Sequence, residues 1–358
     1  MYGQTWLDLQ LTPPRIAWQM LRSLRHSPPG AAKRGQRKGT FNAALEQSEQ
    51  LFLAAETVSP AARPLLLFYG LSQAGRALAA VSRKKIVANT KYNLKGHGIE
   101  AGETEKALTD GLASVTVVDG KSSGAFVVVS QILGAGSLPD KTAIGSLWSL
   151  LPESKRIPLS RADDVRPLQV ALPGPHVVRG QDVPADVSFV PLDLAGRRPK
   201  NSASSEFEDQ PDWEKERQDV ARYIDNFPTL KGWRFRYQDG PIQAQKTNGG
   251  LVVPIEWSTP GQQVADEEAF VAERTVGYRG IRYAYPAIGN AGTVTHPMLI
   301  WWAILYAMSV IARYNPLVWQ GLISVNENED AAAIEKILDD AVRVLPELIH
   351  RTILEVGQ

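Results

Sequence analysis

The chain has 358 residues, 44% of them hydrophobic and 22% charged, with a formal net charge of +1. That is enough apolar material for one large domain or two ordinary ones, and nine Trp, ten Tyr and nine Phe exclude disorder as the main state. With no cysteine, a disulfide framework, a Cys-ligated zinc or iron–sulfur site and a thiol nucleophile are all excluded. The five histidines (His26, His97, His176, His296, His350) include no pair at a metal-ligand spacing, so neither metal nor cofactor is expected. No apolar run follows a basic start, so the expectation is a cytoplasmic protein without a secretory signal.

Charge is unevenly spread. Residues 1–95 carry fourteen Lys/Arg against four acids, a local net of +10, which leaves −9 for the remainder. A basic third of a near-neutral protein suits a polyanion partner, a protein partner, or the chain's own acidic stretch at 206–219.

In chain order, residues 27–39 (SPPGAAKRGQRKG) read as a loop, with two prolines, three glycines and the four cations Lys33, Arg34, Arg37 and Lys38. Residues 41–57 follow as a helix with Thr40 as its N-cap, placing Phe41, Ala44, Leu45, Phe52 and Ala55 near one face. Ser59-Pro60 opens a second helix to about Ser82, apolar on most sides and therefore buried. From about 85 to 260, short β-like runs alternate with Gly/Pro punctuation. Val115–Val118 and Phe126–Val129 flank DGKSSG as a hairpin, and further strands are expected at 168–172, 187–192, 233–237 and 251–256. Helices are expected near 141–151 and 212–226, and 197–211 reads as a polar loop. The last ninety residues read as helical. Met298–Ala312 is almost wholly apolar, but fifteen residues at 1.5 Å each reach only about 22 Å, so a buried helix is expected rather than a membrane span. The fold class is thus α+β, with N- and C-terminal helical segments (1–95, 265–358) packed together around a central β-rich mixed insertion (96–264).

Several stretches carry the outline of a chemical motif. Gly120-Lys121-Ser122 fails as a phosphate loop, because Val115 stands where a glycine is needed and the residues after it read as a strand rather than a helix. Gly70-Leu71-Ser72-Gln73-Ala74 lacks the second glycine of a hydrolase elbow, which falls at Gly75. Gly96-His97-Gly98 is the most site-like cluster, since flanking glycines leave an imidazole available for acid/base work. Its alternative is a turn carrying a surface histidine. The Lys33/Arg34/Arg37/Lys38 group offers phosphate contacts without aromatic residues for base stacking. Arg343 and His350 fall about two helical turns apart and resemble the Arg/His pair of the HEPN group of helical ribonucleases. That resemblance implies 2′-OH attack assisted by His350 and a phosphorane stabilised by Arg343. Here Val344 replaces the usual polar residue, and Pro346 falls within the spacing.

Two longer segments carry a wider resemblance. The stretch Arg63-Pro64 through Tyr69-Gly70 to Gly75-Arg76-Ala77 is followed by Gly96-His97-Gly98. His296-Pro297 runs through Ala312-Arg313-Tyr314-Asn315-Pro316 to Trp319. Together they resemble the YaaC-like family of bacterial proteins, departing from its pattern at Phe68, where Tyr is usual, and at Gly75-Arg76, where Ala-Lys is preferred. The resemblance implies a fold outline and a bacterial cytoplasmic origin, without a reaction. On physical grounds Arg313 is expected to meet the carbonyl end of its helix, with Tyr314 and Trp319 anchoring the turn that follows. Alternatively, Arg313, His97 and Arg76 converge on an anion.

Three functions follow as expectations. The first is a binding module, for nucleic acid or a protein partner, using the basic N-terminal region, within a stress or phage-defence system. The second is a HEPN-like, metal-independent ribonuclease using Arg343 and His350. The third is a small-molecule enzyme with His97 as acid/base. No membrane partner is expected.

Overall fold

The computed structural model describes residues 12–84, 92, 94–162, 165–174, 182–194, 213–258, 264–288 and 295–358. The polar loop at 197–211 lies outside them. The main elements, in chain order, are helices α1 (Pro14–His26), α2 (Gln36–Thr57) and α3 (Arg63–Val81), strands β1 (Ile99–Gly102) and β2 (Thr116–Asp119), helix α4 (Ala125–Leu133), strand β3 (Thr142–Ala143) and helix α5 (Ile144–Ser149). Next come β4 (Leu168–Ala171), β5 (Val183–Val190), α6 (Trp213–Ile224), β6 (Trp233–Phe235), β7 (Gln245–Thr247), β8 (Gly250–Trp257), α7 (Glu267–Glu273), β9 (Val276–Tyr278) and β10 (Ile281–Ala284). The chain closes with α8 (Pro297–Tyr314), α9 (Pro316–Leu322) and α10 (Ala331–Gly357). Helices at both termini with antiparallel sheets between them make the protein α+β.

The chain divides into two compact units, residues 1–165 with 288–358, and residues 166–287. The first unit joins the two helical ends. Its centre is α8, with Met298 to Ala307 buried almost without interruption because α3, α4, α5 and α9 pack around it. This helix alone among the described residues is long and apolar enough to cross a membrane, and 78% of it is buried inside the fold. Trp302 reaches α3 at Gly75, where an added Cβ would stand 2.5 Å from the indole. The missing side chain at Gly75 therefore makes room for an aromatic ring. Trp319 donates its indole N–H to the carbonyls of Pro60 and Ala61, which ties the C-terminal helices to the start of α3. Arg63 reaches across to Asp339 on α10. A three-stranded antiparallel sheet, β1-β2-β3, belongs to this same unit.

The second unit is a seven-stranded antiparallel sheet in the order β6-β8-β5-β4-β10-β9, with β7 on β8. Leu168, Val170, Ala185, Val187, Leu251, Val253 and Ile255 alternate inward and meet Val220, Ile224 and Phe227 from α6 and its end. Strands β9 and β10 complete this sheet, so residues 276–278 and 281–284 are strand where the sequence reading placed helix.

Two further local expectations are corrected. Helix α2 begins at Gln36 rather than after Thr40, so Arg37 and Lys38 are helical, and only a short 3-10 turn, Gly30–Lys33, precedes it. Residues 125–133 form helix α4 rather than the second arm of a hairpin. Its β-branched residues favour a strand locally, but every residue from Ala125 to Ser130 is buried, and tertiary packing decides. Gly134, at φ 71°, stops the helix in the left-handed conformation typical of a C-terminal glycine.

Candidate functional site

The His97 turn is held by its backbone. Gly96 and Gly98 have φ of 71° and 70°, conformations that a side chain strongly disfavours. Three carbonyls of the turn are occupied: Gly96 accepts from the Ala125 N–H (3.2 Å), His97 from Phe126 (2.9 Å) and Gly98 from Gly120 (3.0 Å). Gly98 and Gly124 pass backbone to backbone, and a Cβ on Gly98 would lie 2.5 Å from the Gly124 carbonyl carbon. Consequently the first two N–H groups of α4 are capped by the His97 turn. The strand–GKSSG–helix geometry that the sequence reading rejected is present, yet this helix start is spent on fixing His97.

The imidazole points into aromatic surroundings. Its ring lies 5.3 Å from Phe68, 5.8 Å from Tyr306 and 6.2 Å from Tyr69, between centroids. Helices α3 and α8 run antiparallel here, since Tyr69 meets Arg313 while Gly75 meets Trp302. The same spacing recurs on both helices. Tyr69 precedes Arg76 by seven residues and Tyr306 precedes Arg313 by seven, so each helix presents a tyrosine and an arginine on one face two turns apart. Arg313 donates from Nη1 to the Tyr69 hydroxyl at 2.7 Å and lies over the Tyr314 ring at 4.3 Å. The phenol accepts that bond, which leaves its own O–H to donate.

The electrostatics are one-sided. Burial, then Arg313, then Arg76 hold the His97 imidazole below its ordinary range, so it is neutral near pH 7. Burial also presses the Arg76 guanidinium downward. Among the described residues Arg76 has no hydrogen bond and no ion pair. Burial raises the Tyr306 phenol, opposed by Arg313 and assisted by Glu100, an exposed β1 residue. A neutral imidazole on a fixed backbone, beside two guanidinium groups and two phenols, has the chemistry to bind an anion and to exchange a proton with it.

The sequence reading offered His97, Arg76 and Arg313 as one possible convergence on an anion, and Arg313 and Arg76 both act electrostatically on His97. It missed Tyr69 and Tyr306, whose signal was the repeated Tyr-to-Arg spacing of seven. Tyr314 anchors nothing in the core and is 65% exposed. Instead of capping its own helix, Arg313 turns to Tyr69.

The N-terminal cations divide. Arg37 donates to the carbonyls of Ala79, Ala80 and Ser82, closing the end of α3, and lies over the Tyr92 ring. Lys38 donates to the His26 carbonyl (3.0 Å). Lys33 and Arg34 remain exposed. Part of the basic excess is neutralised within the unit, Arg22 by Glu49 and Arg25 by Glu46, each at 2.7 Å. The acidic residues 206–212 lie outside the described residues.

Arg343 and His350 share helix α10, which continues through Pro346. Seven residues of rise separate them by about 10 Å. Arg343 bonds Asp340 at 3.4 Å, and His350 is only 8% exposed, its imidazole held down by burial and by Arg351 against Glu347. An exposed catalytic pair across a groove, which the ribonuclease expectation needs, is not what this arrangement provides.

Fold and side chains thus define an α+β protein whose terminal helices pack together around an arginine–tyrosine–histidine cluster. A family model, YaaC-like protein, matches residues 16–353, a span that contains all five cluster residues. The chain belongs to the YaaC-like family. No curated protein and no solved structure matches it.

Proposed function

We propose that this YaaC-like protein is a bacterial cytoplasmic binding protein for an anionic ligand, held between Arg76 and Arg313 with Tyr69 and His97 as hydrogen-bonding partners. One observation carries the reading: Arg76 is half-buried and, among the described residues, has neither hydrogen bond nor ion pair. A guanidinium withdrawn from water without a carboxylate is costly unless something else supplies the negative charge. Arg313 likewise meets a phenol and an aromatic face rather than an acid.

The reading keeps the binding-module expectation and moves its centre from the N-terminal basic stretch to the helical core. Lys33 and Arg34 still favour a second, weaker reading in which an exposed surface tracks a polyanion, but Arg37 and Lys38 serve the fold.

The test is titration with inorganic phosphate, followed by thermal unfolding and calorimetry. Stabilisation that disappears in Arg76→Gln/Arg313→Gln supports the core site. Fluorescence anisotropy of labelled RNA and duplex DNA, compared between that variant and Lys33→Ala/Arg34→Ala, separates the two readings. Loss of polyanion binding only in the N-terminal variant, with no effect of phosphate on the wild type, would refute the core site.

A further inference from the structure

The anion site contains a group whose charge can change on binding. Without ligand, Arg313 from α8 is bonded to Tyr69, whose ring lies 6.2 Å from the imidazole, and both Arg313 and Arg76 from α3 oppose a proton on His97. The other groups around it are the hydroxyls of Tyr69 on α3 and Tyr306 on α8, and the carboxylate of Glu100 on β1, which acts on Tyr306. Helix α4 offers it only backbone, through the Ala125 and Phe126 N–H groups on the carbonyls of Gly96 and His97. The turn cannot swing away to relieve repulsion, because those bonds and the Gly98–Gly124 contact hold it.

Charge balance then limits the ligand. A monoanion compensates one guanidinium and leaves the other as it was. A dianion compensates both, and so removes the repulsion that both exert on a proton at the imidazole. The two positive charges that oppose a proton on His97 are then offset, and the protonated ring, held off only by burial, is less disfavoured than in the free protein. As imidazolium it donates from both nitrogens and adds a third cation to the cradle.

We propose that the ligand of this site is a dianion of the phosphate-monoester class, and that its binding promotes protonation of His97. The inference rests on the core anion site proposed above. By linkage, a ligand that favours protonated His97 binds more tightly as pH falls, by up to tenfold per pH unit between the free and bound titration ranges.

Inorganic sulfate is the probe, because it stays a dianion across the range and contributes no proton of its own. Calorimetric titration of the full chain between about pH 5.5 and 8 is expected to show affinity rising toward low pH. Repeating one pH in two buffers of different ionisation heat counts the protons taken up in the wild type, so the result does not depend on any variant folding. His97→Gln retains a side-chain donor and is expected to bind sulfate without pH dependence, its fold checked by circular dichroism. Acetate, a monoanion, is expected to bind more weakly than sulfate. Sulfate binding with no proton uptake, or acetate binding as tightly as sulfate, overturns this inference and leaves the anion site standing. No binding of sulfate, phosphate or acetate at any pH overturns both.

Discussion

Two helical glycines allow the packing to be tested by substitutions that should change stability in opposite directions. Gly39 lies in the first turns of α2, exposed, with nothing within 4 Å of the position a Cβ would take. Replacing it by alanine gains helix propensity of about 1 kcal/mol at no steric cost. Gly75 lies inside α3, where the same Cβ would stand 2.5 Å from Cη2 and Cζ3 of Trp302 and 3.3 Å from the Val129 methyl. Trp302 is fully buried. Overpacking a filled core costs about 1–3 kcal/mol, and a contact this short belongs at the upper end. After subtracting the propensity gain, Gly75→Ala is expected to lose about 1–2 kcal/mol while Gly39→Ala gains about 0.5–1 kcal/mol. Urea unfolding followed at 222 nm measures both, since α2 and α3 belong to the same helical unit. The double variant Gly75→Ala/Trp302→Phe removes the atoms that clash and should recover part of the loss as a coupling energy. If Gly75→Ala stabilised the protein as Gly39→Ala does, the close α3–α8 contact would be wrong.

Two other consequences concern caps. His296 begins α8, its Nδ1 accepting the Met298 N–H at 3.1 Å, and burial lowers its pKa to about 4. Because the folded value lies below the unfolded 6.5, the unfolded chain binds more protons between them. Stability is therefore full above about pH 6.5 and is lost as pH falls toward 4, with an upper limit of about 3 kcal/mol because the ring keeps some contact with solvent. His97 and His350 add slope of the same sign, so the difference between wild type and His296→Asn, which retains a capping acceptor, isolates this contribution in unfolding measured from pH 7 to 4.5. Equal slopes would show that His296 titrates alike in both states. Arg37→Ala should cost about 1–2 kcal/mol in urea unfolding by releasing the last carbonyls of α3, while leaving the salt dependence of any RNA binding unchanged. A reduced salt slope would instead make Arg37 a phosphate contact.

Much of this protein was legible from local pattern. The apolar run at 298–312 became α8, the all-round apolar stretch after Pro60 became α3, and the alternating strands at 168–171 and 250–257 appeared close to where periodicity put them. These succeed because a helix or strand that must bury one or more faces records that need in nearby residues. Family membership was legible as well, since its motifs lie on those same buried helices. Local pattern failed at α4. AFVVVSQIL is a good strand by composition, and only its burial against α3 and α8 made it helical, although the glycines at 124 and 134 marked both ends. It failed again for the basic residues, because nothing near Arg37 in sequence announces the carbonyls of residues 79–82. The candidate site lay between these cases. Its tyrosines and arginines share a spacing of seven on two helices separated by more than two hundred residues, and each spacing alone says only that two side chains share a face. Their meeting around His97 was decided by the antiparallel packing of α3 on α8 and by the Gly98–Gly124 crossing. Both bring together segments that do not adjoin in sequence, so neither is written in a local pattern.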